Sequence, residues 1–133
     1  MKEKGGNIES AYQSGVKLLR KKRYRDALDR LNEAAGLLRK VESGSSSITY
    51  FDIHMLRGEC YQNLLMLQDA KEEYEQALQM NPYSADACYN LGLCFEMSGL
   101  VHAARRMYEY AVSLRPQWQL AREKCENCKA QTE

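Results

Sequence analysis

The sequence predicts an all-α fold, a helical solenoid built from antiparallel helix pairs. Three observations predict it. The chain repeats itself at an offset of 34 residues, with Gly58 and Gly92, Ala70 and Ala104, Tyr74 and Tyr108, Ala77 and Ala111, and Pro82 and Pro116 in matching slots. Within a copy, small and apolar residues fall at i, i+3, i+4 and i+7, one face of a helix, as Cys88, Leu91, Gly92 and Phe95 do. Helix breakers sit between these runs: Gly99 suits a C-terminal cap, and neither Pro82 nor Pro116 can continue a helix.

The elements follow in order. A first pair spans about 8–21 and 24–40. Its Gly15, Leu18, Ala27, Leu31 and Ala34 keep the internal spacing of the later copies, but it has no closing proline and uses Leu31 where the others have tyrosine. An insertion, 42–50, then shifts the register by nine residues. Its Ser43-Gly-Ser-Ser-Ser47 tract predicts a flexible polar loop. The second pair spans about 50–64 and 67–80, opened by Thr49-x-x-Asp52, which has the form of a capping box. The third spans about 85–98 and 101–114. A last helix, about 118–131, continues the register with no partner after it and has Glu126 in the glycine slot, as suits a capping helix with a polar outer face. The chain 1–133 thus reads as one domain, with repeats at about 8–41, 51–84 and 85–118.

Glycine inside a helix costs about 1 kcal/mol relative to alanine, so its recurrence needs a reason. The expectation is close backbone approach, each glycine facing the small alanine of its partner helix: Gly15 with Ala27, Gly58 with Ala70, Gly92 with Ala104.

The order glycine, then tyrosine or phenylalanine, then alanine, three residues and tyrosine, then proline resembles the tetratricopeptide repeat. The resemblance covers roughly residues 8 to 116. It implies a right-handed solenoid whose first helices line a concave groove for a segment of another protein. The residues placed on that groove are Glu9, Tyr12, Val16, Leu19 and Arg20 from the first repeat. Asp52, Met55, Glu59, Gln62 and Asn63 come from the second, and Asp86, Tyr89, Leu93, Glu96 and Met97 from the third. Apolar side chains among carboxylates suggest a partner peptide or helix with apolar and basic residues. The implied function is a protein-interaction adaptor within a larger assembly. An alternative is a chaperone-type adaptor that shields an apolar client segment. Self-association through the groove is a further possibility.

Co-chaperones of this family hold acidic chaperone tails with a carboxylate clamp of lysines, asparagines and an arginine. Here the clamp positions carry Tyr12 and Val16, then Leu56, then Asp86 and Asn90. Starting one repeat later gives Met55 and Glu59, then Asn90, then Leu120 and Lys124, which keeps one asparagine and one lysine. An acid-lined groove repels an acidic tail, so the resemblance carries over the binding mode but not that ligand.

Other chemistry finds little support. The net charge of +1 gives no bulk attraction to nucleic acid or membranes. No run of about 18 apolar residues could span a bilayer. The start, Met-Lys-Glu-Lys-Gly-Gly, has no apolar signal core, and five cysteines fit a reducing, cytoplasmic setting. Cys125-x-x-Cys128 offers two metal ligands where a zinc site takes four. Cys60, Cys94 and Cys128 share one register slot, so core packing explains them, and a metal- or redox-responsive role for Cys125 and Cys128 is the alternative. His54 and His102 have no ligand cluster at suitable spacing, and no nucleophile, phosphate-loop or metalloprotease motif occurs. No catalytic residue, metal or cofactor is expected. The basic run Arg20-Lys-Lys-Arg-Tyr-Arg25 falls at the first inter-helix turn, where a solvated turn is the usual outcome.

Overall fold

The computed structural model describes residues 3–133, so Met1 and Lys2 lie outside it. Seven helices follow in order: α1 (Glu3–Arg20), α2 (Tyr24–Leu38), α3 (Tyr50–Asn63), α4 (Leu67–Met80), α5 (Ala85–Met97), α6 (Val101–Leu114) and α7 (Gln119–Thr132). No strand occurs among the described residues. α1 begins before the predicted start at residue 8, where the apolar period itself begins with Ile8 and Ala11. The other bounds lie within two residues of expectation.

The core runs along the solenoid as a chain of linked clusters. Ile8, Ala11, Ala34, Ala35 and Ile53 join α1, α2 and α3, and Leu28, Leu31 and Cys60 continue the seam. Ala70, Tyr74, Leu91 and Cys94 join α4 to α5, and Cys88, Tyr108, Ala121 and Cys128 join α5 and α6 to α7. The Tyr74 and Tyr108 rings are wholly buried. Burying about 150 Å² of each is worth on the order of 4 kcal/mol.

The repeated glycines face the large partner, not the small one. A Cβ on Gly92 would lie 2.7 Å from Tyr108 Cε1, and one on Gly58 would lie 2.6 Å from Tyr74 Cε1. In the first pair a Cβ on Gly15 would meet Leu31, at 2.8 Å, with the Ala27 carbonyl oxygen at 3.5 Å. The expected glycine–alanine pairing is therefore corrected. The glycine makes room for a flat ring or a leucine four residues beyond the alanine, and the alanines Ala27, Ala70 and Ala104 are buried in their own right.

The turns inside the three pairs share one conformation. Lys22 (φ 64), Leu65 (φ 61) and Gly99 (φ 81) all occupy the left-handed region. The residues after them in register, Arg23, Met66 and Leu100, have φ near −90 and ψ near 71. α3 opens with the predicted capping box, Thr49 accepting from the Asp52 amide while Asp52 accepts from the Thr49 amide at 2.9 Å. Ser84 caps α5 by accepting from the Ala87 amide.

The insertion is not a free loop along its whole length. Its serines are mostly exposed, but Ile48 is buried among Ile8, Ala34, Ala35 and Ile53, which pins the segment just before α3. The serine run carried the flexible reading, and the single apolar residue near its end is what limits it.

α7 closes the far end through an aromatic ladder. Trp118 lies against Tyr89, with centroids 4.6 Å apart, and Tyr89 against Tyr108 at 5.6 Å. The Arg115 guanidinium stacks on Trp118 at 4.4 Å and forks to the Asp86 carboxylate at 3.3 and 3.2 Å. Arg105 of α6 ties down the other end by donating to Thr132 Oγ1 at 2.8 Å.

Candidate functional site

The register places Glu9, Asp52 and Asp86 in one column on the first helices of the pairs. Tyr12, Met55 and Tyr89 make a second column, and Val16, Glu59 and Leu93 a third. Two contacts join helices across this surface. Gln62 Nε2 lies 3.8 Å from Met97 Sδ, between α3 and α5, and Lys124 Nζ lies 3.9 Å from Glu96 Oε1, between α7 and α5. Tyr12 feels both Asp52 and Glu9. Burial first, and then those two carboxylates, hold its hydroxyl above the usual tyrosine range.

The candidate residues divide by exposure. Tyr12, Val16, Met55 and Leu93 are half-buried, resting on the clusters beneath, and Met97 is 47% exposed. Tyr89 does not belong to an open surface. It is 8% exposed, covered by Trp118, and packed in the core with Ala104 and Cys128. Its column position gave it to the groove, and the arrival of α7, which the spacing of α5 alone does not reveal, removes it.

The carboxylates divide as well. Asp52 is committed to the cap of α3, and Asp86 is paired with Arg115. Glu96 accepts the Tyr108 hydroxyl at 2.7 Å. Glu9 is exposed and accepts from Gln13 at 3.0 Å, and the Asn63 side chain donates to the carbonyl of Glu59. Glu59 is exposed as a residue, yet its carboxyl lies near Tyr74 and Cys60, and this partial burial raises it above the usual carboxylate range.

One relationship was readable in the sequence but not extracted from it. Tyr108 donates to Glu96, and Tyr74 donates to Gln62 Oε1 at 3.0 Å. The same register positions in the first repeat hold Leu31 and Leu19, an apolar pair in place of a hydroxyl and its acceptor. The ring that covers each glycine thus decides whether the inner surface above it is polar.

All five cysteines are free and buried. Burial, with Glu59 adding to it, pushes the Cys60 thiol up to about 12, and burial pushes Cys88 and Cys94 up to about 11. Cys125 and Cys128 are raised by burial too. Among the described residues no three histidine, cysteine or carboxylate side chains gather as a metal site. His54 Nδ1 lies 2.7 Å from Glu73 Oε1, and Arg57 joins that carboxylate at 3.2 Å and Asn32 at 3.0 Å, a bridge across α2, α3 and α4. No described helix is long and apolar enough to cross a membrane.

Comparison with known proteins matches two models of the tetratricopeptide repeat, over residues 51–84 and 85–117, which together span half of the chain. The chain belongs to the tetratricopeptide repeat family. Solved structures of tetratricopeptide domains share its right-handed solenoid. The first such domain of Spaghetti (RPAP3), bound to an HSP90 peptide, is 16% identical over 96% of this chain and 94% of that one, with a TM-score of 0.82. The C-terminal tetratricopeptide domain of a Plasmodium falciparum FK506-binding protein is 19% identical over 98% and 91%, with a TM-score of 0.81. The second tetratricopeptide domain of human RPAP3, in complex with an HSP70 peptide, is 14% identical over 95% and 98%, with a TM-score of 0.78. A search of curated proteins returned no match. At these identities the likeness is one of fold.

Proposed function

We propose that this chain is a protein-interaction adaptor, one module of three repeats and a capping helix, that takes a peptide or helix of a partner on its inner face. The observation that carries the reading is the makeup of that face. Half-buried Tyr12, Val16, Met55 and Leu93 and exposed Met97 lie among Glu9, Glu59, Asn63 and Glu96, with Asp52 and Asp86 at the edge already bonded. Tyr12 is of the type that supplies binding hot spots, and the methionines adapt their shape to a partner. The surrounding carboxylates select a ligand that carries lysine or arginine and speed its arrival at low salt. Neighbours of the same fold are bound to peptides, which supports a peptide as the kind of ligand. The clamp positions, with Tyr12, Val16, Leu56 and Asp86, argue for a ligand unlike an acidic tail.

Selection from a random phage-displayed peptide library tests the reading. Enriched sequences should combine apolar residues with lysine or arginine. Met55→Ala with Glu59→Lys should abolish the enrichment, while Arg106→Glu on the exposed side of α6 leaves it intact. Enrichment of acidic sequences, or of sequences indifferent to Met55 and Glu59, would overturn the assignment. The raised Glu59 carboxyl sets a sign as well: acidification neutralises it early, so binding of selected basic peptides weakens as pH falls toward the carboxylate range.

Shielding of an apolar client segment would use the same residues and would appear as enrichment of uncharged apolar sequences. A metal or redox role for Cys125 and Cys128 finds no support in their burial and raised thiols, since ligands and nucleophiles of this type work as thiolates.

A further inference from the structure

The edge of the solenoid formed by the turns inside each helix pair carries two features that the groove does not use. The first is charge. Lys17, Lys21, Lys22, Arg23 and Arg25 are all exposed around the α1–α2 turn. Among the described residues, Arg23 alone of the five forms an ion pair, with exposed Asp26 at 2.7 Å. The second is exposed apolar bulk on the next two turns of the same edge: Leu65 is 70% exposed and Leu100 48%.

Backbone strain marks the same positions. Lys22, Leu65 and Gly99 are register equivalents in the left-handed region, where only glycine is free of a steric penalty. The third turn uses glycine. The first two carry a lysine and a leucine whose side chains reach solvent and bury little against the chain. Strain retained without a packing return points to a use outside the fold.

We infer that this edge docks peripherally on an anionic membrane surface, with the α1–α2 cluster against the headgroups and Leu65 and Leu100 dipping into the interface. Neighbouring helices pack about 10 Å apart, so the three turns present a row of projecting tips. Projecting tips fit a plane better than they fit a peptide, and two hollows lie away from this edge. One of about 520 Å³ runs along α6 and α7, and one of about 440 Å³ lies between the end of α2 and the start of α3. Basic clusters are drawn to anionic leaflets, and apolar side chains beside them add attachment that salt does not screen. The opposite edge exposes Met80 and Tyr83, but its cations are fewer, Arg39 and Lys40 at the end of α2 and an Arg115 already engaged by Asp86. This surface is separate from the groove, and either can hold without the other.

The test is co-sedimentation with vesicles of phosphatidylcholine alone and of phosphatidylcholine with phosphatidylserine in a two-to-one mixture. The protein should bind the mixed vesicles, bind the neutral ones little, and be released progressively by salt. Lys21→Glu, Lys22→Glu and Arg23→Glu together should weaken binding at least tenfold, each cation near such a surface contributing about fivefold. Leu65→Gly removes the apolar tip while relieving the backbone, so it should weaken vesicle binding and raise the melting temperature together. That opposite movement separates a docking role from a folding defect. Absence of binding to mixed vesicles, or binding unchanged by the charge reversals or by Leu65→Gly, overturns the proposal. Binding of single-stranded RNA or polyglutamate more tightly than vesicles, untouched by Leu65→Gly, would assign the cluster to another polyanion and overturn it as well.

Discussion

The Tyr108 hydroxyl donates to Glu96 at 2.7 Å, and the ring that carries it occupies the space a side chain on Gly92 would need. One residue therefore couples tight packing of α5 on α6 to the chemistry of the inner surface. Gly92→Ala should destabilise the protein by about 1–3 kcal/mol, because a rigid ring held on all sides has little room to move. Gly15→Ala should cost less, since Leu31 meets it with Cγ and Cδ2 of a smaller side chain that can change rotamer, where a ring cannot yield. Urea midpoints of the two variants measure the difference, and equal losses would refute the ring-in-slot account.

The hydroxyl and its acceptor form a transferable unit. Tyr108→Phe leaves the slot filled but removes the donor to Glu96, and should cost about 1–2 kcal/mol. In the first repeat, Leu31→Tyr alone would bring a hydroxyl against Leu19. Adding Leu19→Gln should recover part of the loss. A double-mutant cycle on chemical unfolding checks the pair, and purely additive effects would show that the match between positions 19 and 31 is incidental.

Much of this fold was legible because its signals are local and repeated. The 34-residue recurrence placed six of the seven helices within two residues at each end, and Thr49 and Asp52 announced their own cap. The glycine slot is legible and its occupant is not: the alanine is in phase with the glycine, yet a long side chain four residues on reaches across the gap. The groove was legible only as columns. Whether a column member is open depends on the next element, so Tyr89, identical in register to Tyr12 and Met55, becomes core once Trp118 folds over it. The carboxylates Asp52 and Asp86 kept their positions but proved to be engaged by a cap and by Arg115.

Leu65→Gly should stabilise the protein by about 1 kcal/mol, the typical cost of a side chain in the left-handed region, and raise the melting temperature by roughly 3–6 °C. The reverse change at the equivalent turn, Gly99→Ala, should lower stability by a similar amount. Thermal unfolding followed by circular dichroism checks both. A drop for Leu65→Gly would mean that the leucine packs in solution.

Alkaline pH should destabilise the fold through its thiols. Cys60, Cys88 and Cys94 have an ordinary value of 9.0 and are pushed up to about 12, 11 and 11 by burial. The unfolded chain therefore loses these protons first. The contribution is fully present below about pH 9 and is lost as pH rises toward 11–12, so the urea midpoint should fall between pH 8 and pH 10. Replacing the three by alanine or serine should flatten that dependence even if it lowers stability at neutral pH.

Ile48→Asp should cost several kcal/mol by placing a carboxylate among Ile8, Ala34, Ala35 and Ile53. Shortening the serine run ahead of it should cost little, because loop closure varies slowly with length. Comparable losses from both changes, read as urea midpoints, would mean that the serines themselves hold the segment.

Trp118 is the one tryptophan of the chain, and it sits between a guanidinium and a tyrosine ring at the junction of α5 and α7. Its emission is therefore an optical gauge of one joint rather than of the whole molecule. If α7 lifts away while the three pairs stay folded, the indole signal shifts at a denaturant concentration where the helical signal has barely changed. The protein comes fitted with a probe that separates fraying of its end from collapse of its body, and no label has to be attached to read it.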